Sequence, residues 1–135
     1  MSKDDSYYPT VRAALQADGW TIVEDPLRLK IGKQFFQIDL ACRKNKEGEN
    51  EEIAVEIKSF LQESFITEFY HVRGQYLTYR DALDLSEYAH LKLYLALPED
   101  IYTRHWTNPF IDSIRLKDKI SLLLCNDKQQ ITQWL

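Results

Sequence analysis

Asp39, Glu56 and Lys58 are the residues whose types and spacing best suit chemistry in this chain. Magnesium takes oxygen ligands in near-octahedral geometry, commonly one or two carboxylates completed by waters and substrate phosphate. Asp39, Glu56 and the main-chain carbonyl of Ile57 can supply such a set, with manganese as a substitute. A neighbouring Lys58 can orient or deprotonate an attacking water and offset the charge that develops on phosphorus. An Asp followed at loose distance by Glu-x-Lys is therefore sensible for phosphodiester hydrolysis, although the same pattern turns up by chance in unrelated chains.

Strands are the elements that must bring these groups together. Along Ile53-Ala54-Val55-Glu56-Ile57-Lys58, alternation sends Val55 and Ile57 to one face and Glu56 and Lys58 to the other. Asp39 closes the run Phe35-Phe36-Gln37-Ile38 and precedes Glu56 by a length that suits a returning hairpin, so Asp39, Glu56 and Lys58 are expected to converge. Upstream, Tyr8 to Asp18 reads as a short helix stopped by Gly19. Trp20 to Glu24 and Leu27 to Ile31 read as strands, and Gly32-Lys33 as a turn. Gln34 to Arg43 is read as one strand, Lys44 to Glu51 as a loop, and the neighbouring strands together as an antiparallel meander.

Ser64 offers an N-cap for the longest helix, roughly Phe65 to Leu85, whose stripe Phe65, Phe69, Val72, Tyr76, Tyr79 and Leu83 steps by four and three and reads as core. Gly74 in mid-helix suggests close packing there. Glu68, Gln75 and Tyr79 lie along one edge of the stripe and can look toward the Asp39 and Glu56 wall. Gln75 and Tyr79 can steady a water or phosphate near Lys58, or simply bond the helix edge to the sheet. Leu91 to Leu97 reads as a strand covered on both faces and, reached through a helix, parallel to its predecessor. Glu99 to Trp106 and Phe110 to Leu116 read as short helices, and Ile120 to Leu135 as a closing hairpin.

The bulk numbers bound the rest. A chain of 135 residues suits one domain, 1–135, able to bury a core without metal or disulfide staples. Cys42 and Cys125 form no CxxC pair, and His71, His90 and His105 show no metal spacing, so a zinc or redox centre has no support. No GxSxG, Walker loop or GxGxxG is present. The first six residues lack the character of a signal peptide and no apolar run suffices to span a bilayer; a cytoplasmic location without membrane is expected. A formal charge of −4 argues against broad coating of nucleic acid. Arg28, Lys30, Lys33, Arg43, Lys44 and Lys46 nevertheless cluster around Asp39, either as a basic rim for phosphates or as a solvated hairpin face.

The order helix, strands, Asp, hairpin, Glu-x-Lys, helix with Gln-x-x-x-Tyr, strand resembles the PD-(D/E)xK superfamily of restriction-endonuclease-like nucleases. More closely, Asp18-Gly19-Trp20-Thr21-Ile22, Asp25-Pro26-Leu27, Ile38-Asp39-Leu40, Ile53 through Phe60, Gly74-Gln75-Tyr76 and Pro109-Phe110-Ile111 resemble the XisH family, nearly end to end. The resemblance implies an α/β (α+β) fold with an αβββαβ core, its central mixed sheet flanked by helices. It implies Asp39 and Glu56 as metal ligands, Lys58 as the catalytic lysine, and Gln75 with Tyr79 as the accessory helix motif. It further implies an excision controlling factor for the fdxN DNA element in heterocyst differentiation, with DNA, a XisI-like protein and a site-specific recombinase as partners; a homodimer is allowed. The resemblance departs at Tyr8, where relatives often carry a His; in some nucleases of the superfamily a first-helix His or Glu completes the metal site. Glu24 or Asp25 is then an alternative third acid, and a non-catalytic subunit that binds a XisI-like partner is the alternative function.

Overall fold

The computed structural model describes residues 5–135. Helix α1, Tyr8–Ala17, carries Pro9 in its first turn and buries Val11, Ala14 and Leu15, the spacing of one helical face. Strands β1 (Thr21–Glu24), β2 (Leu27–Ile31), β3 (Gln34–Ile38), β4 (Leu40–Lys46) and β5 (Glu49–Ile57) follow. Helix α2, Phe65–Asp84, begins at Ser64, whose hydroxyl accepts from the Thr67 N–H as an N-cap. Then come β6 (Lys92–Pro98), a short α3 (Glu99–Ile101) running into a π-helical turn over Tyr102–Trp106, α4 (Pro109–Asp118), β7 (Ser121–Cys125) and β8 (Ile131–Trp134).

Among the described residues, six strands form a mixed sheet in the order β1-β4-β5-β6-β7-β8, and β2 pairs with β3 in a separate two-stranded sheet. The ladder from β5 through β6 to β7 is parallel and the outer pairings are antiparallel. Each parallel step is a crossover through helix, α2 for the first and α3 with α4 for the second, as parallel neighbours require. Leu93, Leu95 and Leu97 of β6 pack with Phe69, Val72, Tyr76 and Leu83 of α2. Tyr94 and Ala96 point the other way, into the core under α1 with Val55, Ile57 and Leu123. β6 is thus apolar at nearly every position because both of its faces are covered.

Four expectations are corrected. The run from Gln34 to Arg43 is not one strand: it breaks at Asp39, with β3 in the small sheet and β4 in the large one. Lys44 to Glu51 is not a loop, since β4 and β5 stay paired out to Lys46 and Glu49 and turn tightly at Glu47 and Gly48, both left-handed. The strands do not form a simple meander, because β1 pairs with β4 rather than β2. No neighbouring element packs closely on Gly74; a Cβ built there meets nothing within 4 Å beyond its chain neighbours and the backbone of its own helix.

Candidate functional site

The β4–β5 ladder sets Leu40 opposite Val55, so the next pair outward is Asp39 and Glu56. Ala54 belongs to the α2 side of the sheet and Val55 and Ile57 to the α1 side, so alternation turns Glu56 and Lys58 toward α2. Asp39 and Glu56 are 4% and 2% exposed. The Ile57 N–H donates to Asp39 Oδ2 at 2.7 Å, and the Asp39 N–H donates to Glu56 Oε1 at 3.2 Å. Lys58 Nζ lies 4.0 Å from Glu56 Oε2. Asp39 therefore meets Glu56 and Lys58, 17 or more residues further along the chain, at one end of the sheet. Burying such groups is tolerated only with the amide and charge partners seen here.

Helix α2 covers this trio. Gln75 Nε2 donates to the Tyr79 hydroxyl at 2.9 Å. The Tyr79 phenol is pushed up to about 12, mainly by burial, with the negative charges of Glu56 and Asp39 adding to it and the Gln75 bond opposing. The phenol consequently stays protonated, and it lies within the electrostatic reach of both acids. Gln75 Oε1 is buried without a hydrogen-bond partner among the described residues, a cost that a bound ligand or ion would relieve. Phe36 of β3 meets the Tyr79 ring edge-on, centroids 6.2 Å apart.

Lys58 is steadied from both sides. Its N–H donates to the Ala96 carbonyl at 3.0 Å. The next residue, Ser59, donates its N–H and hydroxyl to Asp5 Oδ2 at 2.9 and 3.1 Å, while Asp5 Oδ1 accepts from the Tyr7 N–H. Phe60 adopts a left-handed backbone and buries its ring against Phe65 and Trp106. The sequence reading missed Asp5: an acid in a short polar segment has no periodic signal to tie it to a residue 54 positions on. Lys58 also lines a cleft of about 620 Å³ with Gln62, Ser64, Thr67, Glu68 and His71.

Some expected participants go elsewhere. Glu68 does not join Gln75 and Tyr79; it accepts from the Gln62 N–H at 3.3 Å. The Tyr8 hydroxyl bonds Asp25, whose other oxygen accepts from Arg12 Nε at 2.9 Å, so both Tyr8 and the alternative acid Asp25 are tied into a cluster with α1. His90 pairs with Glu52, His105 stacks on Phe65, and His71 is exposed. Among the described residues no group of three or more His, Cys, Asp or Glu is gathered as a metal cage, and no helix is long and apolar enough to cross a membrane. The trio's donor set is hard oxygen, the two carboxylates of Asp39 and Glu56. Such donors fit magnesium or manganese and do not fit a thiolate or imidazole metal.

Known proteins resemble this chain over almost its full length. The sequence model of the XisH protein family matches residues 1–132. The crystal structure of an XisH family protein from Nostoc punctiforme PCC 73102 is 34% identical, with 97% of this chain and 99% of that one covered and a TM-score of 0.88. That of an fdxN element excision controlling factor protein from Anabaena variabilis is also 34% identical, covering 95% and 96% at a TM-score of 0.85. No curated protein matches this chain.

Proposed function

The chain belongs to the XisH family, and on that footing we propose that it is an excision controlling factor that engages DNA and hydrolyses phosphodiester bonds at the Asp39, Glu56 and Lys58 site. The observation that carries this reading is the meeting of the three groups: Asp39 joined by hydrogen bonds to Glu56 and Ile57 at the sheet end, with Lys58 Nζ 4.0 Å from Glu56. Asp39, Glu56 and the Ile57 carbonyl would hold a magnesium ion, with manganese as substitute. When bound there, the ion would supply Lewis-acid chemistry toward the phosphate and a water. Lys58 contributes a cation beside the scissile phosphate, where it orients the attacking water and offsets the added negative charge. Tyr79, held protonated, and Gln75 donate hydrogen bonds to a phosphate oxygen or that water. A XisI-like protein and a site-specific recombinase are the partners that this role calls for.

A second reading has its own support. Both carboxylates are almost wholly buried and accept backbone N–H groups, so they can act as a clasp joining β3–β4 to β5. The protein would then be a non-catalytic subunit that binds a XisI-like partner. One experiment separates the two: nicking of supercoiled DNA by purified protein with magnesium or manganese. Hydrolysis is expected from wild type, with a loss of at least ~100-fold in Glu56→Ala and Lys58→Ala, the scale of one electrostatic contact in a transition state. Equal nicking by either variant overturns the hydrolytic site. Absence of nicking with any divalent metal, together with tight binding of a XisI-like protein, selects the second reading.

A further inference from the structure

The hairpin β2–β3 leaves the main sheet at Asp39 and forms a two-stranded sheet of its own. Residues 27–38 contain Arg28, Lys30 and Lys33 and no Asp or Glu, in a chain of formal charge −4. β2 alternates sharply: Leu27 and Leu29 are buried, Arg28 and Lys30 exposed. The inner face packs Leu27, Leu29 and Ile38 into the α2 core, with Phe36 against Tyr79. The outer face carries Arg28, Lys30, Phe35 and the partly buried Gln37; Lys30 stands opposite Phe35, its Nζ 5.4 Å from the ring centroid. Phe35 is 70% exposed, although burying such a ring is worth about 2 kcal/mol. Among the described residues no carboxylate forms an ion pair with Arg28, Lys30 or Lys33.

We infer that the outer face of the β2–β3 hairpin is the surface along which a DNA strand lies as its backbone reaches Asp39. The inference rests on the proposed function only for the choice of DNA as partner. The register puts Arg28 level with Gln37 and Lys30 level with Phe35, so the cations stand about two, four and six residues from Asp39 along the ribbon. With ~3.3 Å of rise per residue they are spaced by ~7 Å, close to the separation of neighbouring phosphates along a nucleic-acid strand. Phe35 stands beside the middle cation, where a base or sugar can rest on its ring. The basic cluster seen in the sequence splits accordingly. Lys44 is held by Asp18 at 3.2 Å and lies over Trp20, and Lys46 sits at the far end of β4 beside Glu47 and Glu49. Arg43 stands between Thr21 of β1 and Glu52 of β5, whereas the hairpin runs through β3 directly into Asp39.

The test is a salt titration of the affinity for a labelled duplex oligonucleotide, followed by fluorescence anisotropy in the presence of chelator so that no hydrolysis enters. Replacing Arg28 and Lys30 together by Ala is expected to flatten the dependence of log affinity on log salt by about 2, and Lys33→Ala by about 1. Phe35→Ser is expected to weaken binding about tenfold without changing that slope. Lys46→Ala should change neither. Unaltered slopes in the hairpin variants, or an equal change in Lys46→Ala, overturn the inference while leaving hydrolysis at the carboxylates untouched. Hairpin-dependent binding by a protein that never nicks DNA supports it and defeats the hydrolytic reading alone. No DNA binding at any salt defeats both.

Discussion

Two tyrosines one turn apart on α2 do different work, and single-atom changes separate them. Tyr76 is 2% exposed; its hydroxyl donates to the Leu93 carbonyl at 2.8 Å and accepts from the Ser121 N–H at 3.2 Å, tying the helix to both β6 and β7. Tyr76→Phe keeps the ring, its packing and the Arg80 guanidinium 5.5 Å from its centroid, so no cavity opens. What is lost is one net hydrogen bond, ~1 kcal/mol, and what is created is a Ser121 N–H without that acceptor, a further ~1–2 kcal/mol. The expected destabilisation of about 2.5 kcal/mol lowers the thermal midpoint by roughly 10 °C and the urea midpoint by roughly 1 M at unchanged slope. Nicking at low temperature should be unaffected. Tyr79→Phe is the mirror case: its hydroxyl accepts from Gln75 in a half-buried position near the acids, so stability should change by less than about 1 kcal/mol while nicking falls. A urea midpoint in Tyr76→Phe within about 0.3 M of wild type would show that the hydroxyl does not clamp the two strands. An unchanged nicking rate in Tyr79→Phe would remove it from the site.

Gly74 lies inside α2 with open space where a Cβ would go, so Gly74→Ala should stabilise the protein by about 1 kcal/mol in urea denaturation; destabilisation would mean that something approaches the helix there. The Cys42 and Cys125 thiols are pushed by burial from the ordinary 9.0 up to about 12. Because the folded values are raised, the stability they confer is complete below about pH 9 and is lost as pH climbs through about 12. The urea midpoint should therefore fall above pH 9, less steeply in Cys42→Ala and Cys125→Ala. Both thiols should resist an aromatic disulfide reagent until the protein unfolds, and rapid labelling of native protein would contradict that burial.

The parts of this site that could be read from sequence are those governed by local alternation. Val55 and Ile57 pack under α1 while Glu56 faces α2 with Ala54, as a period of two dictates. The α2 stripe, its Ser64 cap and the two-sided burial of β6 follow from equally local rules. The break at Asp39 does not. Phe36-Gln37-Ile38-Asp39-Leu40 alternates without interruption, and which sheet each half joins is decided by partners far along the chain: Leu27 to Ile31 for β3, and β1 with β5 for β4. Lys44 to Glu51 escaped detection for the opposite reason. The end of that ribbon is exposed on both sides, so backbone pairing and the left-handed Glu47-Gly48 turn sustain it with no apolar pattern.

The break at Asp39 is also what makes the carboxylate pair geometrically coherent. Were β3 to continue straight into β4, the cations of β2 would run on as part of the large sheet, where α1 and α2 cover both faces. By leaving the sheet at Asp39, the chain releases a ribbon whose inner face still packs on α2 through Leu27, Leu29 and Phe36 and whose outer face exposes Arg28, Lys30 and Phe35. The Asp39 carboxylate then closes the gap by accepting the Ile57 N–H, and its own N–H donates to Glu56. The acid is thus the hinge between the two sheets and one half of the carboxylate pair. For that reason Asp39→Asn, which keeps an acceptor for Ile57 but removes a negative charge, is the informative substitution at this position. The fold should persist with an intact ladder between β4 and β5, and on the proposed metal site manganese binding followed by electron paramagnetic resonance should weaken at least ~10-fold, since that site would lose one of its two carboxylates. A variant that binds manganese as tightly as wild type would assign Asp39 to the hinge alone.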